Sequence, residues 1–210
     1  MITPLYRAIR GIVAVWCRLF WRLSVHNRDR LPAGPFILAP IHRSNVDFAI
    51  AASVTSRPMR FMAKHTLWKY GLGRVWEWLG AVPVVRGTPD RSSMRAIEAA
   101  LAGGMPVVMF PEGTRQAGPL VQPLFDGVAY TAFRAGVPIV PVGIGGSERA
   151  MPKGSKLLRP VKIQVVVGEP IPVERPPAGE RIPRRAVKEL TEQLSDRIQA
   201  LFDEAQALAS

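Results

Sequence analysis

Residues 35–47 read Pro-Phe-Ile-Leu-Ala-Pro-Ile-His-Arg-Ser-Asn-Val-Asp, and this stretch decides the fold class. Its first part, 35–40, is short and almost entirely apolar, which is typical of a strand covered on both faces. A helical pattern over 46–55 follows directly. Because parallel α/β sheets are built from strands that lead into helices, the stretch predicts such a unit, with His42 at the junction.

The same alternation continues along the chain. We predict further strands at 59–63, 81–85, 105–110, 139–144 and 162–167, and helices at 67–79, 92–102 and 127–135. A last helix begins near Pro183 and packs one apolar face on the body of the protein. The sequence therefore predicts a single α/β domain with a largely parallel central sheet flanked by helices, preceded by an amphipathic N-terminal helix.

The chain of 210 residues is long enough for one domain with a sizeable core. We predict an amphipathic membrane-interface helix in 1–28 and the α/β domain in 29–170. Residues 171–210 would form a proline-rich connector and the C-terminal packing helix of the same domain. No internal repeat or low-complexity segment in the sequence indicates a second domain.

The formal net charge of +12 indicates an anionic partner: nucleic acid, an acidic membrane surface or a phosphorylated substrate. Solubility alone is the simpler explanation of the charge. The single cysteine, Cys17, excludes an intrachain disulfide. The three histidines lie far apart without the spacing of zinc ligands, so we expect no metal, and we expect no other cofactor.

The N-terminal segment predicts a helix that lies on a membrane. If residues 4–25 are helical, four arginines fall on one arc and the opposite arc is apolar and aromatic. The arginines are Arg7, Arg10, Arg18 and Arg22, and the apolar residues are Leu5, Ile9, Ile12, Val13, Trp16, Leu19, Phe20 and Leu23. Trp21 lies beside the basic arc, where we expect its ring to meet lipid headgroups.

Two other interpretations of this helix are weaker. The longest uncharged run, 11–17, is too short to span a bilayer. Arg18 and Arg22 interrupt the apolar region that a signal peptide would need. A helix packed on the protein's own core, with its arginines in water, is the alternative that stays open.

A second aromatic segment, 67–79, holds three of the five tryptophans, interleaved with Lys69 and Arg74. We favour a buried helix or the lining of a lipid pocket, because the segment lies between two predicted strands. Stacking on single-stranded nucleic acid is the alternative.

His42 and Asp47 form the candidate catalytic pair. Side chains that follow a strand of a parallel sheet face the crevice where ligands bind. Five residues of turn can bring the Asp47 carboxylate beside the His42 imidazole. The carboxylate would fix the tautomer of the ring and leave the other ring nitrogen free as a base for an alcohol. On its own, such a pair also arises by chance as a helix-capping aspartate near a surface histidine.

Three further segments strengthen the interpretation. The strand predicted at 105–110 leads into Pro111-Glu112-Gly113-Thr114-Arg115, in which arginine offers a fork to phosphate, glycine admits close approach and threonine adds a hydroxyl. The strand at 81–85 ends in Arg86, and 137–143 is an apolar stretch with two prolines. Glutamate and arginine at the end of a strand suggest a hydroxylated, anionic ligand.

In this order the segments resemble the four blocks of the 1-acylglycerol-3-phosphate acyltransferases, a family of glycerolipid acyltransferases. The matching positions are His42, Ser44 and Asp47 in the first block, Arg86 in the second, 110–115 in the third and 137–141 in the fourth, with Lys64 at a further family position. The resemblance covers about residues 30–170.

The resemblance implies transfer of a fatty acyl group from acyl-CoA or acyl carrier protein to the free hydroxyl of 1-acyl-sn-glycerol 3-phosphate, giving phosphatidic acid. It implies His42 as general base, Asp47 as the group that orients it, and no acyl-enzyme. It implies an acceptor site made of Ser44, Lys64, Arg86, Glu112, Gly113, Thr114 and Arg115. The partners would be the donor, the lysophospholipid and an anionic membrane, with the protein peripheral or monotopic on the cytoplasmic face of the cell membrane.

Some positions depart from the family pattern. Ile41 stands where asparagine is frequent, Gln116 replaces a common serine, and Asp126 stands where lysine often precedes Gly127. Other acceptors therefore stay open: glycerol 3-phosphate, another lysophospholipid or a glycolipid. A basic protein that binds membranes or nucleic acid without catalysis is the alternative of a different class. We expect no nucleic-acid partner, because the sequence lacks helix-turn-helix, RRM and KH signatures.

Overall fold

A computed structural model describes residues 4–70, 73–78, 80–84, 91–152, 155, 157–177 and 179–210. Strands β1 to β7 span Ser24–His26, Ile37–Pro40, Arg60–Lys64, Ala81–Val84, Val107–Val108, Ile139–Gly145 and Gln164–Val167. Helices α1 to α7 span Pro4–Phe20, Asp47–Ser53, Gly73–Trp78, Arg91–Ala102, Gly127–Ala135, Ser147–Ala150 and Arg184–Ala209. Two short 3-10 helices cover Arg28–Arg30 and His65–Tyr70.

Within the described residues the seven strands form one sheet in the order β1-β7-β6-β2-β5-β3-β4. All neighbours are parallel except β6 and β7, which are antiparallel. Ile37 in β2 pairs with Val107 in β5 and with Ile139 in β6, so β2 is a central strand. The predicted single α/β domain with a largely parallel sheet is confirmed. The loops that follow β2 and β5 leave the sheet side by side.

Helix α7 lies directly on the sheet. Its buried side chains recur at the three- and four-residue steps expected from the sequence and include Leu194, Ile198 and Phe202. Two glycines of β6 allow the backbones to approach closely. A Cβ at Gly143 would lie 2.1 Å from the carbonyl oxygen of Leu201, and one at Gly145 would come equally close to the next turn of α7.

The N-terminal helix ends earlier than predicted. α1 stops at Phe20, Arg22 adopts a φ of 44°, and β1 then adds an edge strand parallel to β7. Trp21 is only 1% exposed, and its Nε1 donates to the carbonyl of Arg159 at 3.1 Å. The expectation that Trp21 meets headgroups is therefore wrong, because its ring belongs to the core. Since β1 lies inside 1–28, part of that segment belongs to the sheet.

The basic arc of α1 is also divided by the fold. Arg10 turns toward the body, and its guanidinium donates to the carbonyls of Ala52 and Thr55 at the end of α2. Arg28 donates to the carbonyl of Ser53 there at 2.9 Å. Cations are favourable at a helix C-terminus. Burial lowers the pKa of Arg28, and the nearby charges of Arg18 and Arg10 lower it further.

The aromatic segment predicted as one helix over 67–79 is broken in two. It comprises the second 3-10 helix and α3, while residues 71–72 and 79 lie outside the described part. The Trp68 ring packs against Gly73, where a Cβ would lie 2.5 Å from it. Trp68 also donates from Nε1 to Glu77 Oε1 at 3.0 Å.

Among the described residues, no helix combines the length and apolar character needed to cross a membrane.

Gly143→Ala should destabilise the protein, because the added methyl group meets backbone rather than a movable side chain. We expect a loss of about 1–3 kcal/mol or more in the free energy of unfolding, measured by urea denaturation. Gly34→Ala is the matched control, since a Cβ there meets nothing within 4 Å. Equal stability of the two variants would contradict the close contact of α7 with β6.

Candidate active site

The turn that follows β2 is organised by one carboxylate oxygen. Asp47 Oδ2 accepts from His42 Nδ1 at 2.9 Å and from the backbone N–H groups of Arg43 and Ser44, each at 2.6 Å. The Asp47 side chain is fully buried at the start of α2. Because backbone donors hold the carboxylate, it in turn fixes the orientation of the imidazole.

The loop that follows β5 holds His42 from the other side. The His42 N–H donates to Glu112 Oε2 at 2.9 Å, and its carbonyl accepts from the Gln116 N–H at 2.9 Å. The imidazole stacks on the Phe110 ring with centroids 4.2 Å apart. Nε2 has no hydrogen-bond partner among the described residues. The histidine is thus fixed in backbone and ring, with one nitrogen left for a ligand.

Glu112 points into the protein, and its expected role in acceptor binding stays a prediction. Its carboxylate is fully buried and accepts from Arg43, from the His42 N–H and from the Gln122 N–H. These donors occupy both oxygens. A buried carboxylate must be compensated inside the protein, and these donors provide that compensation.

The Ser44 side chain also bonds within the protein rather than facing the expected ligand site. It is buried, and its hydroxyl donates to the carbonyl of Met151 at 3.0 Å. The hydroxyl hydrogen is therefore bonded within the protein, and the expected contact of Ser44 with the acceptor stays a prediction. The bond ties the turn after β2 to the end of α6.

The last three residues of the third block, 113–115, do face outward. Gly113 has a φ of 66°, and a Cβ there would lie 2.8 Å from the Phe125 ring, so glycine is required on both counts. Thr114 is exposed and Arg115 half-buried. No hydrogen bond or ion pair among the described residues holds the Arg115 guanidinium. Thr114 and Arg115 are thus accessible beside His42.

Lys64 is the last residue of β3, two strands away from β2 in the sheet. Arg86 lies outside the described residues. The fourth block, 137–141, leads into β6, where Pro141 pairs with Ala39 of β2. This block supports the strand that leads to His42.

Comparison with known proteins identifies the family. The model of the family described as Acyltransferase matches residues 22–145, more than half of the chain. The chain belongs to the acyltransferase family.

Among the relatives of this acyltransferase is a 1-acyl-sn-glycerol-3-phosphate acyltransferase of Bacillus subtilis, 28% identical over 203 residues, which cover 94% of this chain and 96% of that protein. A chloroplastic enzyme of the same name from Brassica napus is 26% identical over 171 residues, 76% of this chain and 49% of that protein. The chain therefore spans nearly all of the bacterial relative and about half of the plant one. These matches confirm the resemblance that the four blocks indicated.

A solved structure shares the fold. The crystal structure of the 1-acyl-sn-glycerophosphate acyltransferase PlsC from Thermotoga maritima matches with a TM-score of 0.76 at 23% sequence identity, covering 96% of this chain and 81% of that one. At this identity the likeness shows the fold alone.

Cys17 has no place in the site of this acyltransferase. It is buried in α1, and burial raises the pKa of its thiol. A buried thiol of raised pKa is a poor nucleophile. Among the described residues, no three His, Cys, Asp or Glu side chains lie together as a metal site.

Sequence reasoning missed several residues that build the site. Arg43 and Gln116 bind the two loops together, while the Gln122 N–H holds Glu112 within the loop after β5, and the Phe110 ring stacks on the imidazole. Arg43 lies inside the first block, directly after His42. An arginine in a turn enclosed by apolar segments was the available signal, because a buried guanidinium needs a carboxylate.

Proposed function

We propose that this acyltransferase moves a fatty acyl group from a thioester donor, acyl-CoA or acyl carrier protein, to the free hydroxyl of 1-acyl-sn-glycerol 3-phosphate, forming phosphatidic acid. The observation that carries the proposal is the His42–Asp47 contact of 2.9 Å, with Nε2 unpartnered among the described residues. The printed names of the bacterial and plant relatives support the choice of acceptor.

In the proposed reaction, His42 is the general base. Its Nε2 takes the proton of the acceptor hydroxyl while that oxygen attacks the thioester carbonyl. The carbon–sulfur bond then breaks, and the imidazolium returns the proton to the leaving thiolate. Asp47 accepts the Nδ1–H, holds the productive tautomer and stabilises the positive charge of the ring.

The acyl group passes directly to the acceptor in this scheme. Cys17 and Ser44 are two of the side chains whose chemistry would allow them to carry it covalently. Cys17 is buried in α1, and the Ser44 hydroxyl donates to a backbone carbonyl. Neither is activated by a neighbouring base as a nucleophile requires, which supports a mechanism without an acyl-enzyme.

Arg115 and Thr114 are the proposed phosphate ligands, with Arg86 and Lys64 as further cations. Arg115 directly follows the segment that holds His42, and no described residue neutralises its charge. A guanidinium matches the oxygens of a phosphate with two parallel N–H groups. A phosphate bound there would place the rest of the acceptor near His42.

A membrane surface is the proposed source of the acceptor. α1 packs on the body through Tyr6 and Cys17, yet it leaves a separate apolar stripe in solvent. Ile12 is 69% exposed and Leu19 77%, with Val15 and Trp16 between them. Such a stripe next to arginines is typical of a helix that lies in the lipid interface. One face of the helix packs on the core, and the other is the proposed membrane contact.

Exposed apolar side chains also surround the catalytic turn. Phe48, which follows Asp47, is 51% exposed, and Phe125, which lies on Gly113, is 66% exposed. Apolar rims of this kind mark surfaces that meet lipid or protein. They support a site that opens toward the membrane, where the acyl chain of the lysophospholipid acceptor resides.

The assay that tests the proposal pairs each acceptor with each donor. We expect product from 1-acyl-sn-glycerol 3-phosphate with at least one thioester donor. His42→Gln should lower kcat by about 10²–10⁴-fold, because the base is lost. Asp47→Asn should lower kcat by at least about 100-fold, because an amide no longer enforces the tautomer.

His26→Gln is the matched control, since this histidine bonds Gln164 at the edge of the sheet. It should retain about the wild-type rate. Full activity of His42→Gln would refute the base. Acylation of glycerol 3-phosphate, another lysophospholipid or a glycolipid in place of lysophosphatidate would refute the proposed acceptor.

Ile12→Gln combined with Leu19→Gln should weaken binding to anionic vesicles by about two orders of magnitude, because two apolar side chains no longer enter the lipid. Vesicle sedimentation measures the effect. Point substitutions are preferable to removing 1–25, because Cys17, Trp21 and Leu23 belong to the core. Leu208→Gln on α7 is the control and should bind like the wild type. Undiminished sedimentation of the folded double variant would exclude the stripe as the lipid contact.

A further inference from the structure

We propose that the buried ion pair of Arg43 and Glu112 is the device that positions His42, and that Arg43 is a positioning residue of the reaction. This inference rests on the proposed function in one respect, the assignment of His42 as the base. It assigns Glu112 a role through the backbone of the catalytic turn rather than through contact with the acceptor.

The pair is enclosed by protein. The side chains of Arg43 and Glu112 are 1% and 0% exposed, and Arg43 Nη1 lies 2.7 and 2.8 Å from the two carboxylate oxygens. Removing both groups from water is costly, and apolar residues of similar volume often give an equally stable protein. An ion pair at this position therefore calls for a role other than stability.

Glu112 transmits the position of the pair to the base. Its Oε2 accepts the His42 N–H at 2.9 Å, and its Oε1 accepts the Gln122 N–H at 3.2 Å. Since Arg43 directly follows His42, the ion pair and this backbone bond close a small ring around the catalytic residue. The backbone of His42 cannot shift without breaking one of these contacts, and the backbone carries the imidazole with it.

Arg43 connects the same turn to two further parts of the fold. Its backbone N–H donates to Asp47 Oδ2 at 2.6 Å, and its Nη2 donates to the carbonyl of Leu120 at 2.9 Å. The guanidinium carbon lies 5.1 Å from the centre of the Phe202 ring of α7, a favourable cation–π distance. One arginine thus links the aspartate that orients the base, the loop after β5 and the C-terminal helix.

Helix α7 completes the support. Gln199 accepts from the Val121 N–H at 2.7 Å and donates to the Pro119 carbonyl at 3.1 Å. The loop that receives Arg43 is therefore fixed on α7, which itself lies on β6. The sequence predicted the C-terminal helix only as a packing element. In the structure it also supports the loop to which the Arg43 guanidinium bonds, and thereby the ion pair.

The variants that test the proposal separate charge from hydrogen bonding. Arg43→Met leaves the Glu112 carboxylate buried without a counter-charge, so the turn should shift and kcat should fall by about 100-fold, as expected for a displacement of about 1 Å. The KM for the acceptor should change by less than about threefold, because neither residue touches it.

Arg43→Met together with Glu112→Gln should recover at least about tenfold in kcat over Arg43→Met alone. The uncompensated charge is then gone, and the amide oxygen can still accept the His42 N–H. A Glu112 that binds the acceptor would behave differently: Glu112→Gln would raise KM, and the double variant would be no better than either single one. That result would overturn the proposal.

The control is an ion pair of the same residue types on the surface. Arg134 and Glu98 are paired at 3.0 Å with side chains 48% and 26% exposed, against 1% and 0% for Arg43 and Glu112, and neither is proposed to act in the site. Arg134→Met and its combination with Glu98→Gln should keep activity within about twofold of the wild type.

Hydrogen exchange gives a readout that needs no acyl transfer. Arg43→Met should speed exchange in peptides that span 41–47 and 110–116, because the His42 and Gln116 N–H groups lose their fixed acceptors. The double variant should return toward the wild-type rate. Unchanged exchange in Arg43→Met would refute the positioning role. If exchange behaves as expected while lysophosphatidate is not acylated, the proposed function fails and the positioning role stands.

Discussion

The hydrogen bond from the His42 N–H to Glu112 joins the two loops on which the site is built. One loop follows β2 and the other follows β5, and the strands are neighbours in the sheet. Parallel neighbours deliver their loops to the same edge, so the fold supplies proximity. The bond fixes the backbone of His42 in position. Asp47 then needs only to orient the imidazole ring. The proposed chemistry of this acyltransferase depends on that order of support.

The local features of the fold and of the site could be predicted from the sequence. Short apolar runs and intervening helical patterns predicted six of the seven described strands, all but β1, and the five-residue spacing predicted the contact of His42 with Asp47. The pairing of Arg43 with Glu112 spans 69 positions, and no local periodicity encodes it. For the same reason Glu112 was expected at the ligand. The block pattern identifies a residue that matters but does not tell which way its carboxylate points.

The N-terminal helix shows the same limit in another form. A helical projection assumes that the helix continues, and it placed Trp21 at the headgroups. Tertiary pairing of β1 with β7 ended the helix at Phe20 and drew the ring into the core. The remaining apolar stripe is smaller than the projected one, yet it is exposed. A basic, partly apolar surface and a site rimmed by Phe48 and Phe125 fit an acceptor that stays in the lipid while its headgroup reaches the loops.

In the proposed mechanism His42 acts as a base, and the acyl group never resides on the protein. Intact mass spectrometry of the wild-type protein, mixed with a thioester donor in the absence of acceptor, tests it most directly. We expect the protein to stay unmodified with the donor alone and to form phosphatidic acid as soon as lysophosphatidate is added. A protein that gains the mass of one acyl chain, and then passes that chain to lysophosphatidate, would contradict it.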